Sequence, residues 1–307
     1  MEGWLASMSS GTAKWQRNVF IAIFILPTLA FFSVFTIYPV VQGLYYSFFD
    51  WSGMSNNKTF IGFDNFTEMF HDPIIWRAIG NDYFLVAGKV IGIMALATFF
   101  AVALTRFGIK AAGFFRSIFF IPNVISVVVI GVLWNFIYNP QIGFLNGFLS
   151  LFTSEKVDIA WLGFPHHTIW MLLPPSIWAG IGFYMILLIA AIQSIPASYY
   201  EAANIEGASL WRQFRGITIP LVWEQMKVSV LNIMMTTLNG SFVIVWIMTE
   251  GGPDNSTQVM GSYLYQMAFR QYHFGYGASI GFMILILSLL TTLLLQRLMR
   301  HESVEMS

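Results

Sequence analysis

The residues of this chain that could do chemistry are few, and they gather in short stretches between long apolar runs. Thr236-Thr237-Leu238-Asn239-Gly240-Ser241-Phe242 sets hydroxyls, an amide and an aromatic ring in one run, and Trp178-Ala179-Gly180-Ile181-Gly182-Phe183-Tyr184 does much the same in another. Such groups exchange hydrogen bonds and offer a flat apolar face, which is what binding a hydroxyl-rich solute requires. Small and hydroxylated residues are equally the usual packing surface between membrane helices. Lys89 is the one charge well inside an apolar run. It can snorkel toward the outer surface, or line a path and meet an acidic or hydroxyl-rich solute. Covalent chemistry has no footing here. There is no cysteine and no HExxH. His166-His167 lacks metal-ligand spacing, and Ala87-Gly88-Lys89-Val90 lacks the first glycine and the Ser/Thr of a phosphate-binding loop.

The elements that must position these groups are read from composition. Of 307 residues, 57% are hydrophobic and 10% charged, against about 25% charged in a soluble domain. Lipid is therefore the solvent for much of the surface. A zero formal net charge gives no basic field for nucleic acid. About 20 apolar residues cross a bilayer as a helix. Six runs qualify, near Val19–Val41, Tyr83–Leu104, Ile118–Ile137, Ile169–Ile192, Val228–Met248 and Ala278–Leu295. Pro27, Pro122, Pro174 and Pro175 are expected to kink or break their helices. Met1 to Asn18 reads as a tail rather than a cleavable leader.

Basic residues favour the cytoplasmic side. Lys14, Arg17, Arg106, Lys110, Arg116, Arg212, Arg215, Lys227, Arg297 and Arg300 fall on one side of the six spans; Lys58, Arg77, Lys156 and Arg270 fall on the other. Both termini are expected inside. The outer loops hold most acids, including Asp50, Asp64, Glu68, Asp72, Asp82, Glu155, Asp158, Glu250 and Asp254, and their aromatics read as interfacial anchors or as a partner surface.

One inner stretch is far more polar than its flanks: Glu201-Ala202-Ala203-Asn204-Ile205-Glu206-Gly207, continuing to Pro220. Ser198 and Glu201 have capping-box spacing, which places Glu201 at the third helical position. Gly207 permits the left-handed turn that ends this helix. A second short helix is expected from about Ala208 toward Ile217, with Trp211 and Phe214 packing beneath the membrane. The stretch reads either as an ordinary connection or as a docking surface. On the other face, Gly251-Gly252-Pro253-Asp254 is a turn signal.

Glu-Ala-Ala, three residues, Gly, then Ile217-Thr218-Ile219-Pro220 resembles the EAA loop of ABC importer permeases. "FIGFDNFTEMFHDPIIWRAIGN", "FFRSIFFIPNVIS", "LLIAAIQSIP", "TEGGPDNST" and "YLYQMAFRQYHFGYGAS" resemble carbohydrate permeases of the maltose and glycerol-3-phosphate type, in order and over nearly the whole chain. The resemblance implies an all-α polytopic membrane protein with six transmembrane helices, a type I ABC importer permease. It implies a first helix at 19–43, an extracytoplasmic loop at 44–82, a transmembrane domain at 83–298 with its EAA loop at 196–220, and tails at 1–18 and 299–307. Glu201, Ala202, Ala203 and Gly207 would contact the ATPase; Glu206 stands where relatives more often have Asp. Gly180, Phe183, Tyr184, Thr237, Asn239, Gly240, Ser241 and Phe242, with Lys89, would belong to the substrate pathway. Phe242-Val243 departs from the Phe-Asp of many relatives. Gly251, Gly252 and Pro253 would lie where the binding protein docks.

The implied partners are a second homologous permease subunit, two ATP-binding subunits, an extracytoplasmic solute-binding protein, a carbohydrate substrate and lipid. No cofactor is expected in this chain, since ATP and Mg would sit on partner subunits. The implied cargo is an oligosaccharide; another polar or acidic solute, such as a glycerol phosphate or a uronate-containing oligosaccharide, is the alternative. An ion-coupled secondary transporter is the rival mechanism. Proton coupling uses an intramembrane carboxylate, and the acids are expected only at span ends and in loops. Sodium coupling through carbonyls and hydroxyls stays open.

Overall fold

The computed structural model describes residues 2–153 and 155–299. Arg300 and the tail from 300 to 307 lie outside the described residues, as do the side chains of Lys14 and Arg17. The fold is helical apart from an antiparallel pair of two-residue strands, Phe49–Asp50 and Thr59–Phe60. Five helices are long and apolar enough to span a membrane: Asn18–Tyr46, Pro73–Arg106, Thr168–Gln193, Leu210–Thr249 and Phe274–Leu298. The pair Ala112–Val124 and Val127–Ile137 makes the remaining span. They are called below the first to sixth spans in chain order, this pair being the third.

The third span is broken near Pro122, as expected from that proline. Its halves meet at 98°. Pro122 lacks the N–H that would continue the ladder, Ile125 is extended, and the Ser126 hydroxyl accepts from the Val128 amide to start the second half. The pair still crosses the bundle. Ala112 packs against the core cluster that includes Leu104 and Tyr200 at one end, while Asn135 donates to the Ile247 carbonyl and Tyr138 to that of Met171 at the other. Six crossings return the chain to the side on which it began.

Other boundaries also moved. The second span starts at Pro73, with proline in its first turn and the Asp72 carboxylate accepting from the Ile74 amide at 2.8 Å. Residues 73–82, expected in the outer loop, are therefore helix, and Asp82 is a buried helical residue rather than a loop acid. The first helix runs through Pro27 unbroken and widens into a π-turn at Ser33–Ile37. Pro174 and Pro175 lie in the first turn of Leu173–Gln193, where a missing N–H costs little. The inner helix is Ala197–Ile205, preceded by Pro196, and no side chain caps its start, so the capping box is absent. The second inner helix begins at Leu210 and runs through a π-turn at Phe214–Thr218 directly into the fifth span.

The core lies between the second, fourth and fifth spans. Ile93, Ala97, Met185, Leu188 and Ile233 are almost fully buried there. A satellite cluster of Met69, Ile75, Met260, Tyr263 and Ile280 joins the outer segments to the sixth span. The most apolar window of the first span has no residue buried by the rest of the chain.

Candidate functional site

A cavity of about 360 Å³ opens among the second to fifth spans, lined by Lys89, Asn123, Ser176, Gly180, Phe183, Tyr184, Asn232 and Thr236 among others. The Tyr184 hydroxyl donates to Asn232 Oδ1 at 2.8 Å, and Thr236 Oγ1 donates to the Asn232 carbonyl at 2.8 Å. Phe183 is 39% exposed and meets Tyr184 edge-on, which leaves an aromatic face open to the cavity. A methyl added at Gly180 would fall 2.7 Å from Ile93 Cδ1, so that position also holds the second and fourth spans together. Lys89 faces this space and sits sixteen residues from one end of its helix and seventeen from the other.

The fifth span divides its polar residues by helical period. Asn232, Thr236, Asn239 and Gly240 lie on the exposed face. Asn239 donates to the Met235 carbonyl, and the space beside Gly240 is open. Thr237 and Ser241 lie on the opposite, buried face. Thr237 donates to the Ile233 carbonyl, and Ser241 to Asp82 Oδ1 at 3.0 Å. Phe242 packs against Trp246 and Tyr265. The structure thus brings Gly180, Phe183, Tyr184 and Lys89 to one cavity, and places Thr237, Ser241 and Phe242 among none of its walls. Asn123, Ser176 and Asn232 were missed by sequence reasoning. Asn232 had a signal: it stands four residues before Thr236 and seven before Asn239, on one helical face.

At the outer end, the start of the second span clasps the loop between the fifth and sixth. Arg77 donates to the Asp254 carbonyl, Asn81 to those of Ser256 and Gln258, and Asp82 Oδ2 accepts from the Met260 amide at 2.9 Å. Asp72 Oδ2 accepts from the hydroxyls of Tyr263 and Tyr276. Burial, and then the Asp72 carboxylate, hold the Tyr263 phenol above its ordinary value, so it stays a donor. Gly251 is buried at φ +84°, and an added Cβ would lie 2.3 Å from the Gln258 amide carbon. Gly252 and Pro253 are half-buried, and Glu250 and Asp254 are exposed.

At the inner end, Gly207 takes φ +74°. The Ala208 amide donates to the Ala203 carbonyl and the Gly207 amide to that of Asn204, a Schellman closure that satisfies the helix end. Gln213 is buried and holds the turn, donating to Asn204 Oδ1 at 2.6 Å and to the Ala208 carbonyl at 2.9 Å. Arg106 donates to Gln213 and stacks over the Tyr200 ring at 3.5 Å. Around this anchor the surface is open. Glu201, Ala202, Glu206 and Gly207 are exposed, Ala203 is half-buried, and Ile205 is 88% exposed. Trp211 and Phe214 line a larger, almost wholly apolar cavity of about 490 Å³ beside Phe99.

The geometry thus combines a cavity with polar lining residues at mid-bundle, a braced outer loop and an exposed inner one. A family model described as binding-protein-dependent transport system inner membrane component matches residues 88–303. The probable ABC transporter permease protein YurN of Bacillus subtilis is 35% identical over 286 residues, 91% of this chain and 95% of that one. The diacetylchitobiose uptake system permease protein NgcF of Streptomyces coelicolor is 34% identical over 275 residues, 87% of this chain and 78% of its own. In fold, a chain from the crystal structure of a bacterial ABC transporter involved in the import of the acidic polysaccharide alginate superposes with a TM-score of 0.81 at 22% identity, covering 94% of this chain and 97% of that chain.

Proposed function

Because the chain belongs to the family of binding-protein-dependent transport inner membrane components, and so is the multi-pass permease subunit of an ABC importer, we propose that its cargo is a carbohydrate. The observation that carries this reading is the relative that serves diacetylchitobiose uptake. The cavity supports it: Asn123, Tyr184, Asn232 and Thr236 supply donors and acceptors, and Phe183 supplies an aromatic face. The exposed Asn239 and Gly240 continue that surface on the side where a second, homologous permease subunit would complete the pathway. Thr237, Ser241 and Phe242 act by shaping the fifth span rather than by touching cargo.

Energy enters from two ATP-binding subunits through the inner loop. Glu201, Ala202 and the exposed Ile205 face outward from the Gly207 turn, while Gln213 and Arg106 tie that turn to the second and fifth spans. A push on the loop is thereby passed to helices that wall the cavity. The outer loop at Gly251, Gly252 and Pro253 presents Asp254 and Glu250 to the solute-binding protein, its backbone braced from beneath.

Two experiments test the two halves. A thermal-shift screen of the cognate binding protein should show stabilisation by oligosaccharides; stabilisation by amino acids or metal ions alone overturns the cargo class. Gly207→Pro cannot adopt φ +74°, since proline is held near −65°, and it removes the amide that donates to Asn204. Normal membrane insertion with binding-protein-stimulated ATPase and uptake reduced at least tenfold is expected. Unchanged uptake overturns the coupling role.

A further inference from the structure

The cavity contains a charge that a neutral sugar does not need. Lys89 carries three donors and no acceptor, and hydroxyls could be served by Asn123, Asn232 and Thr236 alone. A cation kept inside an apolar bundle is costly, and such groups are normally paired or face a solute path. Among the described residues the one ion pair is Glu224–Lys227, and no acid lines the cavity. The nearest preceding carboxylate on the same helix, Asp82, stands seven residues away, about 10 Å along the axis. Both its oxygens are engaged, by Ser241 and by the Met260 amide. Lys89 thus faces a space that holds polar neutral groups and nothing to balance it.

We infer that the cargo is an anionic carbohydrate of the uronate class, whose carboxylate meets the Lys89 ammonium while a ring face lies on Phe183 and hydroxyls meet Asn232 and Thr236. This rests on the carbohydrate reading above and narrows it. One ammonium, with no arginine and no second cation in the cavity wall, can meet one sugar carboxylate at a time, and the wall lacks the clustered cations or bidentate arginine that suit a phosphate. Lys89 is then a specificity-determining residue at the middle of the pathway.

The test uses the complete transporter in liposomes: this chain with its companion permease, ATPases and binding protein. The probes are trigalacturonate and the same trisaccharide with its carboxyls reduced. The wild-type complex should import trigalacturonate in preference. Lys89→Gln should lower that import at least tenfold while changing import of the reduced sugar less than twofold, and Lys89→Arg should restore most of it. Equal loss for both sugars overturns the inference and assigns Lys89 to packing or to an acid on the companion subunit. No loss for either overturns it as well. A wild-type complex that carries only the reduced sugar sinks the inference and leaves the carbohydrate reading standing. One that carries neither, yet imports a non-carbohydrate held by its binding protein, sinks both.

Discussion

The two ends of the bundle solve opposite problems with similar materials. At the outer end, Asp72, Arg77, Asn81 and Asp82 spend their hydrogen-bonding capacity on segments of the same chain between Asp254 and Tyr276. At the inner end one buried side chain, Gln213, anchors a turn whose remaining surface faces outward. The outer end is braced by side chains of its own chain, and the inner end leaves most of its surface exposed. On the proposed function, the outer loop presents a fixed shape to a soluble binding protein and gains from internal bracing. The inner loop, on the same proposal, is moved by a stable partner and gains from exposed contact surface on a narrow anchor. Substitutions at the outer end should therefore be read in stability, and those at the inner end in coupling.

The sharpest way to break that contrast is Asp82→Ala. It strands the Ser241 hydroxyl and the Met260 amide, both buried. Each unsatisfied buried group costs about 1–3 kcal/mol, and the two together should lower stability by about 3 kcal/mol. A markedly lower melting temperature of the solubilised protein, with loss of protection of the 250–260 loop from proteolysis, is the expected result. Ser241→Ala removes one bond and strands less, so it should cost about 1 kcal/mol. If Asp82→Ala melts like wild type, the outer end is not held in the manner described.

A matched pair of glycines gives a smaller and cleaner comparison. Gly251 and Gly207 both have positive φ, +84° and +74°. Left-handed backbone costs a residue with a Cβ roughly 1–2 kcal/mol. At Gly207 nothing lies within 4 Å of an added Cβ, so Gly207→Ala should cost about 1 kcal/mol and no more. At Gly251 the new atom meets the buried Gln258 amide. That side chain in turn bonds Ser262 and Gln266. Gly251→Ala should therefore cost at least 1 kcal/mol more than its counterpart in thermal unfolding. Equal costs would mean that the outer loop yields as freely as the inner one.

How much of this was legible depended on the reach of each interaction. The Gly207 turn was, because a glycine after a short helix is a local signal and its bonds close within five residues. The cavity was legible in part: Gly180, Phe183 and Tyr184 share one helix face, but a cluster read without its period mixed Thr237 and Ser241 with the opposite face. The break in the third span was foreshadowed by Pro122, yet hydropathy is blind to direction, and the bend comes at Ile125–Ser126. Asp82 was illegible. A carboxylate counts against a span in any apolar window, and the partners that justify it lie 159 and 178 residues away. The surroundings of Lys89 were illegible for the same reason, since they come from three other spans.

The smallest expected effect on stability is also the most telling. Ile205 is 88% exposed at the last turn of the inner helix, beside the Glu-Ala-Ala run. An exposed isoleucine contributes little to the fold, so Ile205→Ser should shift unfolding of the isolated subunit by under about 0.5 kcal/mol. Buried against an ATP-binding subunit, the same side chain would contribute about 1.5–3 kcal/mol. Its loss should therefore weaken assembly roughly tenfold or more in a pull-down titration with that subunit. A variant that folds normally and assembles poorly fixes the function of this end as contact surface. A variant that assembles normally means that the exposed tip of the loop is not a contact with an ATP-binding subunit, and removes Ile205 from the proposed coupling surface.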